Sequence, residues 1–198
     1  MSLSAVAVVG AGPQGLSIAE TVSEADLPVT VVSVTGARSA FAKRRLHKTL
    51  AMRVDVGELD RDEADTILSR IHFTRELSAV RDCDLVIESA VGDVRMRRAI
   101  LATLESHVSR GSVLASNISR DELPRMAEVL SRTDQFLGLR FFHPASHTPQ
   151  VEVMPLPDTA PGAIIACETF VRWLGKAPVE EAEPAAVEPI LRPKRAVG

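Results

Sequence analysis

The chain has 198 residues and a mass of 21.3 kDa, a size for one domain or one domain with an appendage, and long enough to bury a core without disulfides or a structural metal. Apolar residues make up 45% and charged residues 25%, an ordinary globular balance, and a net charge of −3 points away from nucleic acid and from a membrane surface. The two cysteines, Cys83 and Cys167, are too few for a disulfide framework and lack metal-site spacing, and no apolar run approaches the roughly 18 residues of a membrane span. The start MSLSAVAVVGAG has no charged leader before its apolar stretch, so the expected setting is cytoplasmic, with no metal, membrane or nucleic-acid partner.

Short apolar runs alternate with segments of helical spacing. Residues 4–9 read as a buried strand, 13–25 as a helix and 29–34 (VTVVSV) as a second strand. Residues 38–53 and 60–70 carry helical spacing, the second opened by Asp60 as N-cap. Then come a strand at 84–88 (DLVIE), an Arg-rich helix at 93–107, a strand at 112–116 and a helix at 121–130. Strands follow at 136–142 and 151–154, and a helix at 164–174 in which Phe170 and Trp173 share a core-facing spacing. From Ala177 onward four prolines, several Glu and a basic end read as an extended tail. Alternation of α and β with nearly all-apolar strands implies an α/β fold: a doubly wound, mostly parallel sheet with helices on both faces. The domain is expected over residues 1–180 and the Pro/Glu-rich tail over 181–198.

Gly10-Ala11-Gly12-Pro13-Gln14-Gly15 is a G-x-G-x-x-G that follows a strand and opens a helix, the context in which the spacing points to a Rossmann-type dinucleotide site. The first glycine allows the tight turn, the second the approach of a pyrophosphate, and the third close helix–strand packing. The helix N-terminus, with Pro13 and Gln14 in its first turn, offers free N–H groups and partial positive charge to the phosphates. About 20 residues further on an acidic residue should bind the ribose 2′-hydroxyl; the residue at that place is Ser33. Without a carboxylate to repel a 2′-phosphate, and with Arg38 followed by Lys43, Arg44 and Arg45, the residues admit either NAD or NADP. A solvated helix face is the other reading of that charge run.

From these motifs onward the chain resembles the NAD-binding domain of the 3-hydroxyacyl-CoA dehydrogenases. The likeness is carried by VAVVGAGPQGLSIA, GELDRDEADTILSRIHFTRELSAVRDCDLVIES, VLASNIS, FLGLRFFHP and VEVMP, in the family's order. It implies NAD as the cofactor and a 3-hydroxyacyl thioester, on coenzyme A or a carrier protein, as the substrate. The motif and the resemblance together give a cofactor-contacting set of Gly10, Gly12, Pro13, Gln14, Gly15, Ser33, Arg38, Ala90, Arg97 and Asn117. In the family a His on G-x-H-F-F-N-P takes the hydroxyl proton, a Glu twelve residues later charge-balances it, and a Ser in S-N-T-S contacts the substrate oxygen.

Mapped residue by residue, the Ser is retained as Ser119 and the Glu as Glu152. The His position is Arg140, the Asn of N-P is His143, and the family's Glu after the fourth strand is Gly92. A guanidinium stays protonated at any relevant pH, so Arg140 is no base. It can pair with Glu152, stabilise an oxyanion or bind a carboxylate. His143 is the nearest alternative acid/base and His147 lies on the same loop. The resemblance further implies a helical domain after this one. Residues 184–193 (PAAVEPILRP) are similar to the junction, and the chain ends at Gly198, so a homodimer or a partner protein covering that face is expected. The rival to an oxidoreductase is a degenerate homologue that binds a dinucleotide or thioester without turnover.

Overall fold

The computed structural model describes residues 3–33 and 36–181, and leaves the side chains of 36–39 undescribed. In chain order the elements are β1 (Val6–Val9), α1 (Pro13–Glu24), β2 (Val29–Val32), α2 (Gly36–Asp55), α3 (Arg61–Ser69) and β3 (Ile71–Thr74). They continue with β4 (Leu85–Glu88), α4 (Val94–Glu105), β5 (Val113–Ser116), α5 (Leu123–Ala127), β6 (Phe136–Phe141), β7 (Gln150–Pro155), α6 (Pro161–Trp173) and β8 (Ala177–Val179). Among the described residues the strands form one sheet in the order β3-β2-β1-β4-β5-β6-β7-β8. The first six are parallel, β7 runs antiparallel to β6, and β8 is parallel to β7. The strand order reverses direction between β1 and β4, which opens a crevice at the carboxyl ends of those strands, where ligands bind in such sheets.

Strand alternation splits the apolar side chains between two layers. Val6, Val8, Val29 and Ile87 face one core with Ile18, Val22, Leu46, Leu50, Ile67 and Phe170 from α1, α2, α3 and α6. Ala7, Val9, Val86 and Phe136 face the other with Leu101, Leu104, Leu123 and Met126 from α4 and α5. Both faces are therefore covered, which is why the strands read as continuous apolar runs. Local chemistry sets several boundaries. Asp60 caps α3 in a reciprocal box: its carboxylate accepts from the Glu63 N–H and the Glu63 side chain accepts from the Asp60 N–H. Asp93 caps α4 by accepting from the Met96 N–H at 2.8 Å.

The structure corrects four expectations. α5 is Leu123–Ala127 rather than 121–130, because Pro124 lacks an N–H and fits only in a first turn; the N-cap residue is Glu122, not Asp121. Ile71–Thr74 is a strand that the helical reading of this region passes over. Ala177–Val179 joins the sheet as its edge strand rather than belonging to the tail, and Pro178 is tolerated at an edge. Phe170 is buried but Trp173, in the last turn of α6, is exposed. Residues 182–198, the rest of the expected tail, lie outside the described residues.

Arg53, the last residue of the helical spacing read over 38–53, closes the α1–α2 corner. It donates to Glu20 at 2.6 Å, to Glu24 and to Glu58 at 3.1 Å. Burial pushes the Glu20 carboxyl above the ordinary carboxylate range, against the hydrogen bond from Arg53 that pulls it down. Cys83 and Cys167 are buried and unpaired. Burial raises their thiols to about 11 and about 12 respectively. Only the thiolate is nucleophilic, so at pH 8 the native chain should react with a disulfide reagent over hours, and within seconds once denatured. Stoichiometric labelling of the native chain within seconds would contradict the burial of both thiols.

Candidate functional site

The glycine loop joins β1 to α1 at the crevice. Gly10 has φ of +126°, and a Cβ there would lie 2.4 Å from the carbonyl oxygen of Ser89, so only glycine fits beside the end of β4. A Cβ on Gly15 would lie 1.9 Å from the Gly10 carbonyl oxygen, which is the close helix–strand packing expected of the third glycine. At Gly12 a Cβ would meet the Val91 side chain at 2.7 Å, from the loop after β4. Gly12 is also the N-cap residue of α1, with no side-chain cap and with Pro13 in the first turn. The amides of that turn are therefore left to another acceptor, and the cradle has the shape and donors a pyrophosphate requires.

Gln14 reaches out of the same turn. Its amide donates to the Phe141 carbonyl at 2.7 Å, and the Phe141 N–H donates to Asn117 Oδ1 at 2.9 Å. Asn117 Nδ2 donates in turn to Ser89 Oγ at 3.3 Å. The Ala145 N–H donates to Ser17 Oγ of α1 at 2.7 Å. The carboxyl ends of β4, β5 and β6 are thus tied to the start of α1, and Gln14 and Asn117 are the ties.

Beneath them lies a buried charge pair. Glu88 accepts from Arg97 Nη2 at 2.7 Å and Nε at 3.1 Å, from Ser116 Oγ at 2.8 Å and from the Ala90 N–H at 2.8 Å. Arg97 Nη2 also donates to the Asn117 carbonyl at 3.0 Å. Arg97 thus spends its fork on Glu88. Arg97 also lines, with Arg95, Ile118, Glu122 and Arg125, a cleft of about 410 Å³ between the starts of α4 and α5. Glu88 and Ser116 are missing from the site expected in sequence; the signal for Glu88 is an acid ending the otherwise apolar run DLVIE.

Gly138 packs on Leu123 and Met154, so β6 residues 136, 138 and 140 point to the α5 side of the sheet. Arg140 stands directly opposite Glu152 across the antiparallel β6–β7 pair. Its Nη1 is 3.4 Å from Glu152 Oε2, and its guanidinium carbon lies 4.8 Å from the centroid of the Phe142 ring. Ser119 follows β5 on the neighbouring strand and donates to Glu122 Oε2 at 2.8 Å. β6 ends at Phe141, and His143 is exposed on the loop beyond it. His147 faces elsewhere, its Nε2 3.7 Å from Glu58 at the α1–α2 corner. Ser33 is buried one residue beyond β2, its N–H donating to Thr74. The side chain of Arg38 lies outside the described residues. Among the described residues no His, Cys, Asp and Glu cluster is placed to hold a metal, and no helix is long and apolar enough to cross a membrane.

Sheet order, glycine cradle and crevice together define a Rossmann-type domain for an NAD-type dinucleotide. The particular family is equally plain: residues 5–183 match 3-hydroxyacyl-CoA dehydrogenase, NAD binding domain, and the chain belongs to that family. It is 30% identical over 177 residues to the fatty acid oxidation complex subunit alpha of Psychrobacter cryohalolentis, covering 89% of this chain and 25% of that protein. Among solved structures it superposes on Mycobacterium tuberculosis FadB2 with a TM-score of 0.86 and 33% identity, over 90% of this chain and 64% of that one. On (S)-3-hydroxybutyryl-CoA dehydrogenase PaaH1 from Ralstonia eutropha the TM-score is 0.85 at 28% identity, over 90% and 63%. The chain thus spans a quarter of the curated relative and less than two thirds of these structures.

Proposed function

We propose that this chain binds NAD and serves the oxidation of a 3-hydroxyacyl thioester, or the reverse reduction. The observation that carries the reading is the glycine cradle, in which Gly10 and Gly15 are sterically obligatory and the first turn of α1 is left uncapped. Bound there, the nicotinamide would exchange a hydride with the 3-carbon of the substrate. Gly12, Pro13, Gln14 and Gly15 hold the pyrophosphate, Ala90 and Asn117 border the nicotinamide half, and Ser119 turns its one hydroxyl proton from Glu122 to the substrate oxygen. The proton is carried by His143, since Arg140 keeps its own. NAD is favoured over NADP by the family, and the absence of an acidic side chain at Ser33 keeps NADP as the alternative tested beside it.

The test is calorimetric titration with NAD, NADH, NADP and NADPH, followed by turnover of acetoacetyl-CoA with NADH at 340 nm. Binding of NADH with turnover that falls at least about a hundredfold in His143→Gln is the expected result. Failure of all four nucleotides to bind would end the cofactor reading. The second reading, a binding protein without turnover, is favoured by Arg140 occupying the family's base position opposite Glu152. It is upheld if the parent binds NADH but is inert and Arg140→His gains activity.

A further inference from the structure

Glu88 of β4 and Glu152 of β7, both on the α4–α5 side of the sheet, each pair with an arginine, and the two pairs are built differently. Arg97 and Glu88 are sealed: two guanidinium nitrogens reach the carboxylate, the shorter contact is 2.7 Å, and the side chains are 11% and 0% exposed. The Arg140–Glu152 pair is open on the arginine side. Glu152 is 6% exposed but Arg140 is 39% exposed, and its Nη1 makes their one described contact at 3.4 Å. A closed charge-assisted bond is about 2.7–2.9 Å. The Phe142 ring under the guanidinium holds the plane of the fork without using a donor. Of the five N–H donors of an arginine, the remainder on Arg140 have no protein acceptor among the described residues. An arginine present only to neutralise Glu152 would be shut as Arg97 is.

We propose that Arg140 recognises a carboxylate of the substrate, so that the acyl group taken is a 3-hydroxyacyl or 3-oxoacyl thioester bearing a second acid close to the reacting carbon. The inference rests on the oxidoreductase reading above. Three features carry it. A planar fork with donors that no described residue accepts, backed by a buried carboxylate that orients it, matches a carboxylate in shape and charge. Arg140 is two residues beyond Gly138, which pairs with Ser116, and Ser119 is three residues beyond Ser116, so both lie at the carboxyl edge of adjacent strands. The phosphates of coenzyme A are many bonds from the 3-carbon, whereas an acid on the acyl chain is not.

The experiment compares 3-hydroxybutyryl-CoA with 3-hydroxyglutaryl-CoA, which adds one carboxylate at the chain terminus. Each is titrated calorimetrically into the chain saturated with NADH, a condition that permits no turnover. The parent should bind the acid at least about tenfold more tightly, the scale of one charged hydrogen bond. Arg140→Met should bring the ratio near one, and Arg140→Lys should retain part of it. NADH affinity and melting temperature, measured on the same samples, show that the variants are folded. A ratio near one in the parent overturns the proposal, as does NADH binding with no affinity for either thioester. Equal weakening of both ligands in Arg140→Met assigns the residue to the 3-oxygen they share and overturns it too. Failure of NADH to bind is a different result, and it removes the reading beneath.

Discussion

Gly15→Ala is expected to cost the chain both its dinucleotide affinity and a large part of its stability. The added Cβ would sit 1.9 Å from the Gly10 carbonyl oxygen, a backbone atom that no rotamer change moves. Gly10 has no room to retreat, because its own Cβ direction is closed by the Ser89 carbonyl at 2.4 Å. The clash is therefore relieved only by sliding α1 along the sheet. That slide strains the Gln14–Phe141 and Ser17–Ala145 bonds, which tie α1 to β6 and the loop beyond it. Overpacking of this kind costs about 1–3 kcal/mol and more where the neighbour is rigid. In a chain of this length each kcal/mol lowers the melting temperature by about 2–4 °C. Gly162→Ala is the contrast, since nothing lies within 4 Å of its added Cβ and it is helical; it should be neutral or stabilising by about 0.5–1 kcal/mol. Melting curves and NADH titrations of both variants make the comparison. A Gly15→Ala chain with the melting temperature and NADH affinity of the parent would contradict the packing described for the cradle.

What could be read from the residues alone was the chemistry that acts over a few positions. The glycine cradle, the Asp60 cap and the alternation of apolar strands with helices are all determined within a turn or a pleat, and each is found where expected. β3 escaped because it is a four-residue edge strand whose Ile71 alone is fully buried, so no period shows. β8 escaped because a proline reads as a tail until a neighbouring strand is known. The corner role of Arg53 was not legible, because its partners on α1 are about thirty residues away in sequence and meet it only after α2 has packed. The dyad position was legible as Arg140 and Glu152, twelve residues apart. What was not legible was the openness on the arginine side: exposure of Arg140, its long contact to Glu152 and the Phe142 platform depend on how β6 ends. The buried Glu88 pair is the extreme case, since its partners come from α4, β5 and the loop after β4.

That pair carries the second large prediction. Arg97 was expected among the cofactor contacts, yet its guanidinium is held by Glu88 and the Asn117 carbonyl, so its removal should register first in stability. Glu88→Ala leaves Arg97 charged, mostly buried and stripped of its carboxylate, and it also releases the Ser116 hydroxyl and the Ala90 N–H. Breaking such a pair from one side costs about 3–5 kcal/mol. Glu88→Gln keeps the shape and an acceptor but removes the charge, and should cost less. Glu88→Leu combined with Arg97→Met removes both charges and fills the space, and should recover most of the loss in stability, because the attraction within a buried pair largely offsets its own desolvation. Dinucleotide affinity should not recover with it. Ala90 and Asn117 are positioned by the two side chains, and the apolar pair offers neither of them a partner. Urea denaturation of Glu88→Ala, Glu88→Gln, Arg97→Met and the double variant, with NADH titration of each, separates the two roles. If Arg97→Met leaves stability intact and weakens only NADH binding, Arg97 is a direct cofactor contact and the structural role assigned to it is wrong.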